Sequence, residues 1–199
     1  MPSHRTQGAA KPWLIAVIVI VLVVLGFATS FTGRYNNMVK MREAVKQSWS
    51  EVDVNIQRRA DLIPNLVNTV KGFAKQEQTV IGEVTTARAE LGGARTPQQE
   101  MKANNHLDGA LSRLLLIVEN YPDLKSNQNF LALQDELTGT ENRIAVSRRQ
   151  YNLAIQQYDA YIQTFPNNII AHWGGMNYND AYFETAPANR KAPPKVSFN

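Results

Sequence analysis

The stretch Met38-Val-Lys-Met-Arg-Glu-Ala-Val45-Lys-Gln-Ser-Trp49-Ser-Glu-Val52-Asp-Val-Asn-Ile56 decides the fold, because its apolar side chains return at alternating steps of three and four residues. One series continues through Leu66, Phe73, Val80 and Ala87, and its partner runs Trp49, Ile56, Ile63, Val70, Val84 and Leu91. This is the heptad period of helices that pack lengthwise, so a long amphipathic rod is predicted from Met38 to Leu91. Three seam positions are polar: Arg42, Arg59 and Glu77. Pro64 interrupts the rod, since it offers no N–H to the carbonyl four residues earlier and its ring crowds that carbonyl. Either a kink near Ala60 follows, or a new helix begins with Asp61 as N-cap and Pro64 in its first turn. Both outcomes bend the rod in its middle.

Upstream lies Trp13-Leu-Ile-Ala-Val-Ile-Val-Ile-Val-Leu-Val-Val-Leu-Gly-Phe-Ala-Thr-Ser-Phe31, nineteen residues without a charge. A helix of that length measures about 28 Å, close to the roughly 30 Å hydrocarbon core of a bilayer. A cleaved signal peptide would share the basic start (Arg5, Lys11) and the small pair Ala28 and Ser30, but its apolar region is usually about 7–15 residues. A retained anchor is the better reading. Trp13 and Phe31 mark its ends, with Tyr35 beyond, where interfacial aromatic belts sit. Residues 1–12 form a short polar N-terminus. Arg34, Lys40, Arg42 and Lys46 outnumber Arg5 and Lys11, which points to an outside N-terminus and a cytoplasmic body.

Downstream, Gly92-Gly93 and Pro97 end the first rod, and Thr96-Pro97-Gln98-Gln99 has the form of a capping box with proline at the first helical position. The second helix carries the stripe Met101, Leu107, Leu111, Leu114, Leu115 and Val118 and stops at Asn120-Tyr121-Pro122. After a turn-rich connection a third seam appears at Phe130, Leu137, Ile144, Tyr151, Tyr158 and Phe165, and a short fourth helix is expected near Asn168 to Trp173. The fold class is therefore all-α: a single N-terminal transmembrane helix followed by an elongated up-and-down antiparallel bundle of three long helices and a short fourth. The bundle is expected over residues 34–183. A proline-containing tail occupies 184–199, where Val196 and Phe198 could tuck against the bundle.

The composition narrows the chemistry. There is no cysteine, hence neither disulfide scaffold nor thiol catalysis, and the 21 Lys and Arg are interleaved with 17 Asp and Glu. Nucleic acid wants a one-signed stripe, so it is not an expected partner; a mild attraction to anionic lipid head groups is. His4, His106 and His172 lack the Glu-x-x-His spacing of a bundle metal centre, and neither a Gly-x-Ser-x-Gly elbow nor a phosphate-cradling glycine loop is present. No catalytic residue, metal, cofactor or small-molecule substrate is assigned. Interest falls instead on the charge clusters Arg58, Arg59, Asp61 and Glu141, Asn142, Arg143, Arg148, together with Pro64 and Asn65. A buried guanidinium at Arg59 needs a partner, and Glu141 is the candidate. Such clusters serve either as a recognition groove or as a polar network fixing helix register.

Several strings resemble the LemA family: Tyr35-Asn36, Trp49-Ser50, Asp53-Val54, Arg58-Arg59-Ala60-Asp61-Leu62-Ile63-Pro64-Asn65-Leu66-Val67, Ala87-Arg88-Ala89, Tyr121-Pro122-Asp123-Leu124-Lys125, Glu141-Asn142-Arg143-Ile144-Ala145 and Arg148-Arg149-Gln150-Tyr151-Asn152. The resemblance runs from Tyr35 to Pro166 and resumes at Pro194-Lys195-Val196-Ser197-Phe198. It implies a bacterial membrane protein with an outside N-terminus and a cytoplasmic helical body, and it supplies no reaction. His172-Trp173-Gly174-Gly175-Met176 departs from the Phe-Gly-Phe-like string more usual there.

Anchor, seams and absent catalytic constellation together predict a non-enzymatic scaffold at the bacterial inner membrane. Its expected partners are the lipid bilayer, a second copy of itself or another membrane protein. Two alternatives are an adaptor for a membrane protease or envelope stress system, and a hydrolase or metalloprotein with an unrecognised site.

Overall fold

A computed structural model describes residues 12–179 and 181–183. The expected N-terminal segment, apart from Pro12, and the tail 184–199 with Val196 and Phe198 lie outside the described residues, as does His4. Among the described residues there are helices and no strand: α1 Pro12–Phe73, α2 Gln78–Gly93, α3 Pro97–Val118, α4 Pro122–Lys125, α5 Gln128–Gln163 and α6 Asn167–Trp173.

The first rod is two helices, and its break is not at the proline. Pro64 sits inside α1, and no new helix starts at Asp61, which is exposed and accepts from Gln57 Nε2 at 2.9 Å. The reason lies across the bundle. The Ala60 carbonyl, four residues before Pro64 and so deprived of its helical donor, accepts Arg88 Nε of α2 at 2.9 Å. The chain turns instead at Ala74–Glu77, where the Glu77 amide donates to the Ala74 carbonyl at 3.1 Å. Phe73, expected on the seam, is 43% exposed because Ala74 takes the core place one residue later.

The chain divides into two compact units. The larger comprises Glu43–Gln157 with the segment from Asn179. Here α1, α2, α3 and α5 form an up-down-up-down bundle whose register is readable from cross-helix bonds. Arg58 reaches Glu136 and Trp49 meets Tyr151, so α1 and α5 are antiparallel. Likewise His106 meets Glu90, Arg113 meets Glu83 and Tyr121 Oη donates to Glu77, so α2 and α3 are antiparallel. Val52, Ile56, Ile63, Leu66 and Val70 of α1 are buried with Val84 and Ala87 of α2, Leu107 and Leu114 of α3, and Phe130, Ile144 and Tyr151 of α5. The caps follow sequence chemistry. Thr96 Oγ1 accepts the Gln99 amide at 3.2 Å while Gln99 Oε1 accepts the Arg95 amide at 2.9 Å, and Asn127 Oδ1 accepts the Asn129 and Phe130 amides.

The smaller unit comprises the chain up to Arg42 with Tyr158–Tyr178. Every side chain from Trp13 to Ser30 is exposed, which for so apolar a run is the surface a bilayer would cover; this helix is long and apolar enough to cross one. At the other end of the unit, α6 closes on Gly174 and Gly175. Gly175 has φ +65°, the left-handed conformation of a helix C′ residue, and the Met176 amide returns to the Ala171 carbonyl at 2.9 Å. Gly174 lets Tyr35 approach: a Cβ there would stand 2.7 Å from Tyr35 Cε2. Asn167 Oδ1 accepts Arg34 Nη1 at 2.8 Å, and the seam residue Arg42 meets Met176 Sδ at 3.7 Å.

Candidate interaction site

The most concentrated polar chemistry lies in the middle of the larger unit. Arg59 projects from α1 with its side chain only 8% exposed, and its Nη1 contacts both the Asp108 carboxylate of α3 and Glu141 Oε2 of α5, the latter at 2.7 Å. Asn104, fully buried one turn before Asp108, donates Nδ2 to Asp108 Oδ2 at 3.1 Å. Arg148 of α5 approaches from the other side, its Nη2 4.0 Å from Asp108 Oδ2. Burial holds its pKa below the usual arginine range; Asp108 and Glu141 pull it back up and Arg59 opposes them. Two guanidinium groups and two carboxylates thus balance in one cluster. An open groove of about 450 Å³ lies over it, walled by Leu66, Leu111, Leu115 and Leu137.

Arg148 links this cluster to an aromatic one. Its guanidinium stands 4.9 Å from the centroid of Phe183, which stacks on Trp49 at 5.8 Å while Tyr151 meets Trp49 edge-on at 5.2 Å. The Phe183 backbone is held at both polar atoms by one side chain: Asn152 Oδ1 accepts its N–H at 3.0 Å and Asn152 Nδ2 donates to its carbonyl at 2.9 Å. Tyr151, whose pKa burial raises, also hydrogen-bonds Asn179. Phe183 is therefore clasped to α5. Near the start of α3, half-buried Glu100 faces Asp53 of α1. Burial first, then the neighbouring carboxylate, push its pKa up to about 7.

The residues singled out from sequence divide between these surroundings. Arg59, Glu141 and Arg148 meet at the cluster. Arg58 and Arg143 instead share Glu136 on the surface, at 2.7 and 3.3 Å. Asn142 is exposed beside Val54 and Val146 in a second groove, and Asn65 is exposed on α1. Asp108, Arg88, Asn152 and Phe183 were not singled out. Asp108 carried a signal: with Asn104 it forms an i, i+4 polar pair amid the Met101–Val118 apolar stripe.

Fold and exposed apolar helix define a membrane-associated, all-helical protein with a bundle body. The family model for the LemA family matches residues 48–198, and this chain belongs to that family. Among curated relatives, magnetosome protein MamQ 2 of Paramagnetospirillum magneticum is 28% identical, covering 86% of this chain and 72% of its own length. Magnetosome protein MamQ of Magnetospirillum gryphiswaldense is 27% identical over 94% of this chain and 77% of its own. Protein LemA of Metamycoplasma hominis is 23% identical over 92% and 83%.

Proposed function

We propose that this chain is a single-pass, membrane-tethered scaffold without catalytic activity, whose body sits on the cytoplasmic side of the bacterial cell membrane and holds a second copy or another membrane protein. The observation that carries the reading is the mutual pairing at the cluster. Arg59 ion-pairs with Asp108 and Glu141 from two other helices, which suits a register lock better than a reacting centre. Around it the bundle offers contact surface rather than an enclosed pocket, with Val54 and Val146 exposed in a groove bounded by Asn142 and Arg143. The test is a photo-crosslinking residue at Val54 in native membranes. Specific capture of a second copy or of one membrane protein is expected. An uncrosslinked monomer whose purified body turns over a substrate would overturn the proposal.

A further inference from the structure

The smaller unit exposes three large apolar side chains around α6: Phe165 at 80%, Ile169 at 49% and Trp173 at 77%. Ile169 and Trp173 stand one turn apart on α6 and Phe165 lies in the turn before it, while Asn167, Ile170 and Ala171 are buried. Two contacts fix where this row stands. The first residue of α6, Asn167, bonds Arg34, and Gly174 just past its end packs on Tyr35. Arg34 also reaches Ser30 Oγ at 3.4 Å, so the two ends of α6 stand beside the stretch of α1 from Ser30 to Tyr35. That stretch reaches no more than four residues beyond Phe31, about 6 Å of helix rise. The row thus stands next to the end of the exposed apolar run Trp13–Ser30, and an occupant of the same chemistry fits both.

We propose that α6 and the turn before it form a second membrane contact, with Phe165, Ile169 and Trp173 seated in the boundary between head groups and acyl chains. Tryptophan and phenylalanine favour that boundary, and a helix lying in its plane buries its apolar side by roughly 5–10 Å. The proposal rests on the reading of Trp13–Phe31 as the bilayer anchor.

The test uses the full chain in vesicles of phosphatidylcholine and phosphatidylglycerol, with and without phosphatidylcholine brominated on its upper acyl carbons. Trp173 emission is taken as the native chain minus Trp173→Phe, and Trp13 emission as native minus Trp13→Phe. Both are expected to lose most of their emission to the bromolipid, and aqueous iodide should leave Trp173 untouched. Quenching of Trp173 by iodide overturns the proposal. So does protection from both quenchers, which would mean that another protein surface, such as a second copy, covers it. If Trp13 is quenched and Trp173 is not, only the α6 contact fails; if neither is, the anchor reading fails with it. Because the chain has no cysteine, Ile169→Cys carrying a nitroxide gives a second readout. It should collide more with oxygen than with a water-soluble nickel complex, and the reverse order counts against the contact.

Discussion

At Arg59 one guanidinium contacts two carboxylates from two other helices, so truncating it leaves the two with Arg148 alone to offset them. Arg59→Leu should cost about 3–5 kcal/mol, because a buried charge cluster that loses one partner keeps the desolvation penalty of the others. Adding Glu141→Leu, which leaves Arg148 balanced by Asp108, should recover a large part of that loss, and thermal unfolding of the two single variants and the double variant measures the coupling; additive shifts would refute it. Glu100 gives the pH-dependent counterpart. Its carboxyl titrates near 7 in the folded chain against 4.5 for an unperturbed group, so the folded state binds more protons between those values and stability falls as pH rises from about 4.5 to about 7. Glu100→Gln keeps the neutral shape and removes the dependence. For a half-exposed group the gain is about 1 kcal/mol, roughly 3 °C in Tm at pH 8, with no change at pH 4.

At the scale of the helices, periodicity was legible and punctuation only in part: the stops at Gly93 and before Pro122 and the start at Pro97 fall where the sequence puts them. The seams around Val52, Leu107, Ile144 and Tyr151 lie buried where the three-and-four spacing puts them, and the Thr96 cap closes as its chemistry predicts. The break at Ala74–Glu77 escaped notice because it holds neither glycine nor proline, and the loudest breaker, Pro64, is tolerated. That tolerance depends on Arg88, whose sequence distance from Ala60 hides the bond from any local reading. Arg88→Met should therefore cost about 1–2 kcal/mol by leaving the Ala60 carbonyl unmatched. In a Pro64→Ala background, where an N–H returns to that carbonyl, the same substitution should cost a fraction of this, and a double-mutant cycle in urea reads the difference. Asp108 was hidden for a related reason: helix periodicity shows which face a polar residue occupies, not which other helix supplies its partner.

For the whole molecule, what the sequence displays most openly is the apolar run, and what it mostly conceals is pairing across helices, the expected Arg59–Glu141 contact being the exception. Composition alone marked Trp13–Phe31 as lipid-facing, and its side chains up to Ser30 are exposed without exception. Phe165, by contrast, sits at a seam position of the third pattern and yet is exposed, since α5 ends at Gln163 before the seam reaches it. Sidedness has a direct test. Leu116 is exposed on α3, and Leu116→Cys in an otherwise cysteine-free chain should resist a membrane-impermeant maleimide in intact cells and react after lysis. Labelling of intact cells would place the body outside.

Arg88 and Pro64 meet at a single carbonyl, which links their histories. A lineage that exchanges the proline for an ordinary residue no longer needs a guanidinium reaching in from the neighbouring helix, and one that keeps the proline cannot easily part with it. Across related chains the two sites should change in concert, arginine persisting where the imino acid persists and drifting freely where it has gone.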